Sequence, residues 1–376
     1  MWDLDDRWNA PPRRGRLMKH PHICEVIKTL DVGGAEVLLV ERLLAALPTD
    51  KRYTVVCQRA STRILVERLR SAGVNVVVLG SGSHPSRLVP AVRRLAPDVL
   101  NMHSPLPAAL LRMTSRFWNP RPVLISTVHN VCYRTPTMLL DRATGWLDTR
   151  TVAVSPQVAR AVTSWGARAL CTRIHGVGVE RQRDWAMESE RIRQEWNVPE
   201  HAFLITHVAN FRPAKNHRML IEAATRVIAR NPRAMFLLAG SGPLHEQVAK
   251  RVADLGLDGL RFLGQVPNAA RLIAASDLLV LGSSHEGLPV VIMEAFAAGV
   301  PVVSTDVGGV SDLVTTGWNG LLTVPGDSEA FAEAILRAMR PEVHGLLRQG
   351  ARDSADLVDI SQTAEWFDRL YDEVCS

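Results

Sequence analysis

The 376-residue sequence predicts an α/β protein built from two doubly wound domains that face each other across a cleft. The first observation is length, because a domain usually contains roughly 100 to 200 residues. The second is a rhythm of short apolar, β-branched runs alternating with longer amphipathic stretches, and the third is that this rhythm starts twice. Continuous apolar strands separated by helices are typical of a parallel sheet covered on both faces.

The first series of strands lies in residues 19–178, which we predict to form one domain after a polar tail at 1–18. Stretches such as 35–47 and 62–73 have the apolar spacing of helices. The predicted strands are HICEVIK (22–28), YTVVC (53–57), VNVVVL (74–79), DVLNM (98–102), VLISTV (123–128) and TVAV (151–154).

The second series lies in residues 179–358, the predicted second domain, and residues 359–376 form a final helix. The charged stretch 176–202 is expected to be irregular and to contain the interdomain linker. The predicted strands are FLITHV (203–208), AMFLLA (234–239), LRFL (260–263), DLLVL (277–281) and PVVS (301–304). In such sheets ligands bind beyond the carboxyl ends of the strands.

Composition excludes several classes of protein. Hydrophobic residues make up 47% of the sequence and charged residues 22%, which excludes a disordered or collagen-like chain. No apolar run approaches the ~18 residues that a membrane-spanning helix needs, and the charged, proline-containing start is unlike a secretory signal. The five cysteines are widely spaced without a C-x-x-C pair, so neither a disulfide framework nor a zinc site is indicated. We expect a cytoplasmic protein.

The net charge of +6 is unevenly distributed. Residues 1–180 carry 25 Lys and Arg against 13 Asp and Glu, a balance of +12, and residues 181–376 carry 19 against 25, a balance of −6. The basic half suggests an anionic partner, such as a membrane surface or a phosphorylated substrate; alternatively, the abundance of arginine reflects coding bias. Nucleic acid is not expected, because no basic cluster is interleaved with stacking aromatics.

Two glycines follow the first predicted strand. Gly33 and Gly34 precede a strongly amphipathic helix, and glycines at such a turn let the backbone approach a ligand while the helix start offers free amides to a phosphate. The pattern is not G-x-G-x-x-G, so a dinucleotide fingerprint is absent. A plain turn is the alternative.

The sequence HEGLP follows the strand DLLVL and precedes an apolar helix that contains Glu294. Glu286 and Glu294 are eight residues apart, at most ~12 Å along a helix axis. They could hold hydroxyl groups at both ends of an extended ligand, with the helix-start amides aimed at a diphosphate between them. Compensation of the helix dipole is the alternative for Glu286. Glu294 has apolar neighbours, and a carboxylate there needs a partner.

Polar residues also follow two other strands. Asn210, Arg212 and Lys215 lie between FLITHV and a helix, where cations would neutralise phosphate charge. His129 ends the strand VLISTV and is expected to face the cleft, although a purely structural histidine is the alternative. The segment 101–104, with His103, ends the preceding strand in a similar way.

Together these residues resemble glycosyltransferase family 4, retaining enzymes of the GT-B fold with two Rossmann-like domains. The resemblance covers residues 20 to 375. The motifs that carry it are Gly33-Gly34-Ala35-Glu36, His129, the loop around Lys215, Ala239-Gly240-Ser241-Gly242-Pro243, Phe262-Leu263-Gly264, HEGLPVVIMEAFAAGVPVV with Glu286 and Glu294, and Val307-Gly308-Gly309.

The resemblance implies catalytic roles for four residues. Lys215 would bind the diphosphate and stabilise the leaving nucleotide, Glu286 would hold hydroxyls of the donor sugar, and His129 would hydrogen-bond a sugar hydroxyl. Family members usually have arginine where this chain has Asn210, and Arg212 is the nearest substitute. Asp312 stands where the family often has glutamate.

The resemblance also implies a donor-binding set. Gly33 and Gly34 would lie against the diphosphate or the sugar, Glu294 would hold the ribose hydroxyls, and backbone near Gly264 and Val266 would contact the base. The full set expected to bind the donor is Gly33, Gly34, Asn210, Gly242, Gly264, Val266, Gly287, Leu288 and Glu294.

The implied reaction needs no cofactor. The family is thought to react on the front face of the sugar, with the leaving phosphate accepting the acceptor's proton, so no protein base is assigned. Apart from Asp3-Leu4-Asp5 in the predicted polar tail, no D-x-D motif is present, and no histidine cluster suggests a metal. The final helix is implied to cross back onto the first domain, and 360–374 has the pattern for it, with Trp366, Phe367 and Leu370 as anchors.

The expected function is transfer of a sugar from a UDP- or GDP-sugar to a hydroxyl of a glycan or lipid-linked acceptor, as in cell-envelope polysaccharide assembly. Residues 112–121 combine three arginines with Phe117 and Trp118, a composition suited to an anionic membrane surface or, equally, to the end of a partly buried helix. We expect location in the cytoplasm, with peripheral membrane contact at its inner face as a further hypothesis. Competing functions are a GT-B epimerase or hydrolase and a non-catalytic sugar-nucleotide-binding protein; an oxidoreductase is disfavoured by the absence of G-x-G-x-x-G.

Overall fold

The computed structural model describes residues 20–31, 33–80, 85–129, 135–163, 166–167 and 169–376. The first domain contains a seven-stranded parallel sheet in the order β3-β2-β1-β4-β5-β6-β7. The order reverses direction between β1 and β4, as in doubly wound sheets. Its strands are β1 (His22–Thr29), β2 (Arg52–Arg59), β3 (Asn75–Val78), β4 (Val99–Met102), β5 (Val123–Val128), β6 (Arg150–Ala153) and β7 (Leu170–Thr172).

Helices cover both faces of this sheet. One apolar cluster packs α1, α2 and the last helix of the chain on one face, and a second cluster packs α3 and α4 on the other. The helices are α1 (Gly34–Ala45), α2 (Ile64–Ser71), α3 (Pro85–Leu95), α4 (Pro105–Ser115), α5 (Thr135–Gly145) and α6 (Pro156–Thr163).

The second domain contains a six-stranded parallel sheet in the order β10-β9-β8-β11-β12-β13, with its reversal between β8 and β11. Its strands are β8 (Phe203–Val208), β9 (Ala234–Ala239), β10 (Leu260–Gly264), β11 (Leu278–Leu281), β12 (Val302–Thr305) and β13 (Gly320–Thr323). The helices are α7 (Val179–Met187), α8 (Ser189–Glu195), α9 (His217–Arg230), α10 (His245–Leu255), α11 (Ala270–Ala274), α12 (Val290–Ala297), α13 (Ser328–Ala338), α14 (Pro341–Asp353) and α15 (Ile360–Cys375).

The α/β fold with two doubly wound sheets is confirmed, and β5, β8 and β9 have the predicted bounds. The sequence did not predict β7 or β13. β7 has three residues at the sheet edge, none of them fully buried, and β13 is a four-residue strand of which only half is fully buried. Neither produces a long apolar run.

The prediction that residues 176–202 are irregular is wrong, because α7 and α8 occupy most of this stretch. Both helices are rich in charge, which hid their narrow apolar faces: Ile192 is 1% exposed and Val179 is 5% exposed. Ion pairs along the outer surface, such as Arg191 with Glu188 and Glu195, stabilise the turns of α8. α7 packs against α11 and α12 of the second domain.

The final helix crosses back to the first domain, where α15 packs on α1. Phe367 and Leu370 are buried in the same apolar cluster as β1 and α1, and Trp366 packs partly buried against it. Lys51, at the start of the second strand, forms ion pairs with Asp368 at 2.8 Å and Asp372 at 2.7 Å. α15 is therefore fixed to the first domain by both apolar and ionic contacts.

The chain passes between the domains at two adjacent points. Backbone hydrogen bonds join Val177 to Val358 at 2.8 Å and Ile360 to Val177 at 3.0 Å. A further apolar cluster, the interdomain apolar cluster, spans the junction and includes Val158 of α6 together with Ile292 of α12 and Val310. Within the described residues, no helix combines the length and apolar character of a membrane span. The predicted tail at 1–18 lies outside the described residues.

Candidate active site

An ion pair between Lys215 and Glu286 lies at the carboxyl edge of the second sheet. Lys215 ends a short 3-10 turn after β8, and Glu286 lies between β11 and α12. The Lys215 Nζ is 2.6 Å from Glu286 Oε1. The Glu286 carboxylate is buried, whereas the Lys215 side chain is 25% exposed. The structure therefore brings together two residues that the sequence separates by 71 positions.

The Glu286 carboxylate has a second donor, because Ser283 Oγ donates a hydrogen bond to Oε1 at 2.5 Å. The sequence reasoning missed Ser283. It is fully buried and lies two residues after the end of β11, and its position as a polar residue just beyond a strand was the available signal. Thr305 Oγ1 in turn donates to the Ser283 carbonyl at 2.6 Å. This support holds Glu286 in place from the sheet side.

The backbone before α12 rests on the loop at Gly308 and Gly309. A Cβ at Gly308 would overlap the carbonyl of Glu286, and one at Gly309 would overlap the carbonyl of Gly287. Gly309 N–H donates to the Gly287 oxygen at 2.8 Å. The close approach explains why glycine stands at both positions. Leu288 is 9% exposed and its side chain packs in the interdomain apolar cluster, which leaves its backbone as the part that could contact a ligand.

The two domains meet at this point. A Cβ at Gly287 would lie 2.9 Å from the carbonyl oxygen of His129, and one at Gly34 would lie 3.4 Å from Cγ2 of Val290. The strand ends of the first sheet thus abut the start of α12. The structure brings Gly34, His129, Gly287 and the Lys215–Glu286 pair to one side of the domain junction.

The helix start at Gly33 and Gly34 already has an acidic neighbour. Glu36 Oε1 accepts a hydrogen bond from Thr29 Oγ1 at 2.7 Å, and its Oε2 lies 2.6 Å from where a Cβ of Gly33 would be. The Glu36 carboxylate therefore compensates the positive end of α1. A carboxylate beside the two glycines favours a hydroxyl-bearing group over a phosphate at this position.

His129 follows β5 and is joined to the residue that follows β4. Its Nε2 lies 2.9 Å from Nδ1 of His103, and its ring is 5.5 Å from the ring of His175. Burial, followed by the neighbouring His103 and His175 rings, lowers the pKa of His129 well below its ordinary value, so the imidazole is neutral. The sequence analysis gave His103 no role of its own, yet the structure places it in direct contact with His129. Asn130 lies outside the described residues.

Glu294 lies on α12, two turns from Glu286, and is half-buried. Burial raises its pKa to about 7, with Arg181 lowering the pKa and Glu41 raising it. The sequence analysis expected a partner for this carboxylate, but none of the described residues forms a hydrogen bond or ion pair with it. A carboxyl group held in this way has hydrogen-bonding capacity left for a ligand.

The Asn210–Lys215 loop is held against the loop after β9. A Cβ at Gly242 would lie 2.6 Å from the Phe211 oxygen, and one at Gly240 would overlap the Ala209 carbonyl. Asn210 and Arg212 are both exposed on this loop.

Gly264 and Val266 lie beside these loops, at the end of β10. The Gly264 oxygen accepts a hydrogen bond from Gly240 N–H at 2.7 Å. The Val266 side chain packs against the apolar cluster that contains Leu237 and Ala239. Val266 is only partly buried, so both positions have atoms left for contact with a ligand.

The surface predicted for residues 112–121 is partly buried in the structure. Arg112 is 3% exposed and Trp118 is 7% exposed, so neither lies on a surface. Arg112 forms ion pairs with Asp141 at 2.6 Å and Asp148 at 2.7 Å, because the end of α4 packs on α5. The alternative of a partly buried helix end fits these two residues, whereas Phe117 is 85% exposed.

Residues 188–352 match the family model described as glycosyl transferases group 1. The second domain is a group 1 glycosyltransferase domain. Over 166 residues the chain is 31% identical to the N-acetyl-alpha-D-glucosaminyl L-malate synthase of Bacillus anthracis, which covers 44% of this chain and 43% of that protein. It is 27% identical over 291 residues to the putative glycosyltransferase EpsD of Bacillus subtilis, covering 73% of this chain and 76% of that one.

A solved structure resembles the whole molecule. The crystal structure of HepE from Anabaena in complex with UDP and glucose has a TM-score of 0.82 and 22% sequence identity, and covers 94% of this chain and 99% of that one. This likeness shows that the group 1 glycosyltransferase domain and the preceding domain together adopt the GT-B fold. The match to the Bacillus anthracis synthase spans less than half of that relative, so it concerns mainly one domain.

Proposed function

We propose that this protein is a retaining glycosyltransferase of family 4 that moves a sugar from a nucleoside diphosphate sugar to a hydroxyl of a cell-envelope acceptor. The observation that carries the proposal is the Lys215–Glu286 ion pair at the start of α12, opposite His129 and Gly34 of the other domain. This places a cation, a carboxylate and free helix-start amides on one side of a junction between two parallel sheets. The HepE structure contains UDP and glucose, which supports a donor of this class.

The reaction needs stabilisation of negative charge. Cleavage of the bond between sugar and diphosphate leaves charge on the phosphate, which Lys215 and the amides of α12 would stabilise. Glu286 would hold sugar hydroxyls, and Glu294 the ribose hydroxyls. Because Glu36 is next to Gly33 and Gly34, we assign these glycines to the sugar side of the donor. Asn210, Arg212, Gly242, Gly264 and Val266 would surround the nucleotide.

The reaction is proposed to need no metal and no cofactor. The proposed reaction depends on a lysine, on helix-start amides and on carboxylates that contact hydroxyl groups of the nucleotide sugar. Full turnover in excess chelator is the expected result. Loss of turnover on chelation, with recovery on addition of a divalent cation, would contradict this part of the proposal.

A lipid-linked or other cell-envelope glycan is the proposed acceptor. The relatives include the UDP-Gal:alpha-D-GlcNAc-diphosphoundecaprenol alpha-1,3-galactosyltransferase of Escherichia coli, which is 27% identical over 183 residues. An acceptor of that kind would present its sugar at the inner face of the cytoplasmic membrane. The nucleotide sugar would then reach the cleft from the cytoplasm.

A membrane contact is proposed on α4 and α5, in revised form. Exposed apolar side chains lie along these helices, and Arg116 lies over the ring of Trp146 at 5.7 Å. The excess of cations in the first half of the sequence complements an anionic lipid surface. The exposed apolar residues are Leu106, Met113, Phe117, Leu139 and Trp146.

Vesicle binding tests this contact. Cosedimentation with anionic vesicles is expected to fall at high salt and to fall in Phe117→Ser, but not in Leu346→Ser, a matched substitution of an exposed residue of the second domain. Binding that is equal for neutral and anionic vesicles would contradict the charge argument.

The donor is tested by thermal shift with a panel of nucleotides and nucleotide sugars, because a ligand that binds only the folded protein raises its stability as ln(1+[L]/Kd). Release of nucleoside diphosphate is then measured with and without a lipid extract as acceptor. Acceptor-dependent release with retention at the anomeric carbon supports the proposal. Release without acceptor identifies a hydrolase or epimerase, and binding without release identifies a sugar-nucleotide-binding protein.

A further inference from the structure

A chain of hydrogen bonds runs from the interior of the first domain to His129. Glu25 on β1 is fully buried, and its Oε2 accepts a hydrogen bond from Nε2 of His103 at 2.7 Å. The other nitrogen of that ring, Nδ1, lies 2.9 Å from Nε2 of His129. The three residues come from β1 and from the ends of β4 and β5, which are neighbours in the sheet. The sheet therefore fixes their spacing.

Glu25 begins this chain as a carboxylate. Its Oε1 accepts hydrogen bonds from Arg42 at 2.6 Å and from the Tyr371 hydroxyl at 2.7 Å. Burial acts to raise the pKa of Glu25, but the Arg42 guanidinium and His103 together hold that pKa at about 2. An ionised carboxylate can only accept hydrogen bonds. The hydrogen between Glu25 and His103 is therefore carried by Nε2 of His103.

This fixes the remaining hydrogens when the His103 ring is neutral. A neutral ring that carries its hydrogen on Nε2 has a bare Nδ1, which accepts from Nε2–H of His129. His129, with its hydrogen on Nε2, then has a bare Nδ1. None of the described residues forms a hydrogen bond with that nitrogen. The hydrogen bond made by one ring nitrogen thus decides what the other can do.

We propose that Glu25 and His103, the latter as a neutral ring, are positioning residues that fix the tautomer and ring orientation of His129, so that its bare Nδ1 accepts a hydrogen bond from a hydroxyl of the donor sugar. The identity of the ligand rests on the proposed function, whereas the tautomer does not. An acceptor nitrogen selects for a donating hydroxyl and against a group that can only accept.

The helix that crosses back from the second domain completes this arrangement. Tyr371 of α15 donates to Glu25 and accepts from Asn101 Nδ2 at 2.9 Å. Asn101 in turn accepts from Thr127 Oγ1 at 2.8 Å. Through Tyr371, the carboxylate that orients His103 depends on a segment that follows the second domain in sequence. Detachment of α15 would therefore disturb His129.

The first test reads the tautomer by NMR of ¹⁵N-labelled histidine rings. In the wild-type protein we expect His129 to carry its hydrogen on Nε2 and to have a bare Nδ1. His103→Gln keeps a polar group near Glu25 but removes the ring nitrogen that faces His129, so the His129 tautomer is expected to change or become mixed. An unchanged His129 ring in His103→Gln would overturn the proposal, whether or not a donor has been found.

Tyr371→Phe provides a milder variant, because it removes one hydroxyl from Glu25 and leaves the ring packing. It is expected to shift the His129 signals in the same direction by less. Its matched control is Tyr53→Phe, since Tyr53 is buried with its ring 6.3 Å from that of Tyr371, but its hydroxyl forms no hydrogen bond with any residue that the structure describes. Equal His129 shifts in both tyrosine variants would also overturn the proposal, because the hydroxyl on Glu25 would then be irrelevant.

The second test uses donors in which single sugar hydroxyls are replaced by fluorine, which cannot donate a hydrogen bond. With the wild-type enzyme, one such fluorinated donor is expected to have a kcat/KM at least about tenfold lower than the natural donor. His103→Gln is expected to have a kcat/KM about tenfold lower than the wild type on the natural donor. The variant is also expected to use the fluorinated and natural donors at similar rates. Undiminished discrimination in His103→Gln would count against the positioning role. A confirmed tautomer without any donor turnover would instead refute the proposed function alone.

Discussion

At the scale of single residues, Lys215 and Glu286 form the central charged pair of the candidate site. Their separation of 2.6 Å places the ammonium group where it can turn from a carboxylate to a phosphate. Glu286 keeps a hydrogen bond from Ser283 when this happens. Before a ligand binds, the ion pair therefore compensates the buried charge of Glu286.

Lys215→Ala and Glu286→Ala are each expected to lower turnover by at least ~100-fold, the scale for loss of one group that stabilises developing charge. Steady-state rates with the identified donor measure this. Lys250→Ala, at an exposed lysine of α10, should have wild-type rates. Near-normal turnover in both site variants would refute the mechanism.

Glu294 offers a pH-dependent test at the same scale. Its pKa in the folded state is raised from an ordinary value of 4.5 to about 7 by burial, so the folded protein binds this proton more tightly than the unfolded chain. The free energy of unfolding contributed by this group therefore falls as pH rises from about 4.5 to about 7, and is constant above that.

Glu294→Gln removes this fall. Relative to the wild type, the variant is expected to gain about 2 to 3 kcal/mol in free energy of unfolding between pH 5 and pH 8, while losing affinity for the nucleotide. Urea unfolding at the two pH values measures the gain, and Glu365→Gln on exposed helix surface is the control. Parallel pH profiles for wild type and Glu294→Gln would show that burial does not perturb this carboxyl group.

At the scale of elements, the start of α12 depends on the loop at Gly308 and Gly309. Helix amides bind a phosphate only when the backbone before the helix is held in the right place. Here the two glycines let one loop lie directly on the carbonyls of Glu286 and Gly287. A side chain at either position would displace the HEGLP segment.

Gly309→Ala is expected to reduce kcat/KM by at least about tenfold and to destabilise the fold by about 1 to 3 kcal/mol, the cost of overpacking a close contact. Gly345→Ala is the matched control, since it lies in α14 with open space around it and should stabilise by about 0.5 to 1 kcal/mol. Wild-type activity in Gly309→Ala would show that the loop does not set the position of α12.

At the scale of the whole molecule, α15 follows the second domain in sequence but packs on the first domain, where it contacts residues that support the candidate site. It packs on α1, bonds Glu25 through Tyr371 and forms ion pairs with Lys51. The Lys51 side chain is 2% exposed, whereas its partners Asp368 and Asp372 are 40% and 59% exposed. Desolvation acts against the charge of Lys51, but the two carboxylates raise its pKa overall.

Lys51→Met is expected to weaken the attachment of α15 by about 1.5 to 3 kcal/mol, the range for hydrogen bonds to charged groups. Faster amide exchange confined to α15 would report this weakening. Arg369→Met, on the exposed side of the same helix with only a distant ion pair to Glu365, should exchange at the wild-type rate. Unchanged exchange in Lys51→Met would mean that apolar packing alone fixes the helix.

Sequence periodicity was sufficient to predict the long buried strands, but it failed for helices and strands that are only partly buried. The run FLITHV predicted β8 to the residue, since both faces of that strand are covered and every position except His207 is apolar or β-branched. α7 and α8 were missed because a charged helix with one buried face gives a weak pattern. β7 was missed because an edge strand has few positions that need to be apolar.

The sequence by itself determined the two parallel sheets, the strand-end loops and the chemical types of the residues in them, because these follow from local patterns of apolar and polar side chains. Only the tertiary structure decided which of those residues meet: Lys215 with Glu286, His129 with His103 and Gly287, and Tyr371 with Glu25. These contacts join residues 26 to 346 positions apart, or different domains. Their spacing is set by sheet order and by the packing of α12 and α15, which no local pattern encodes.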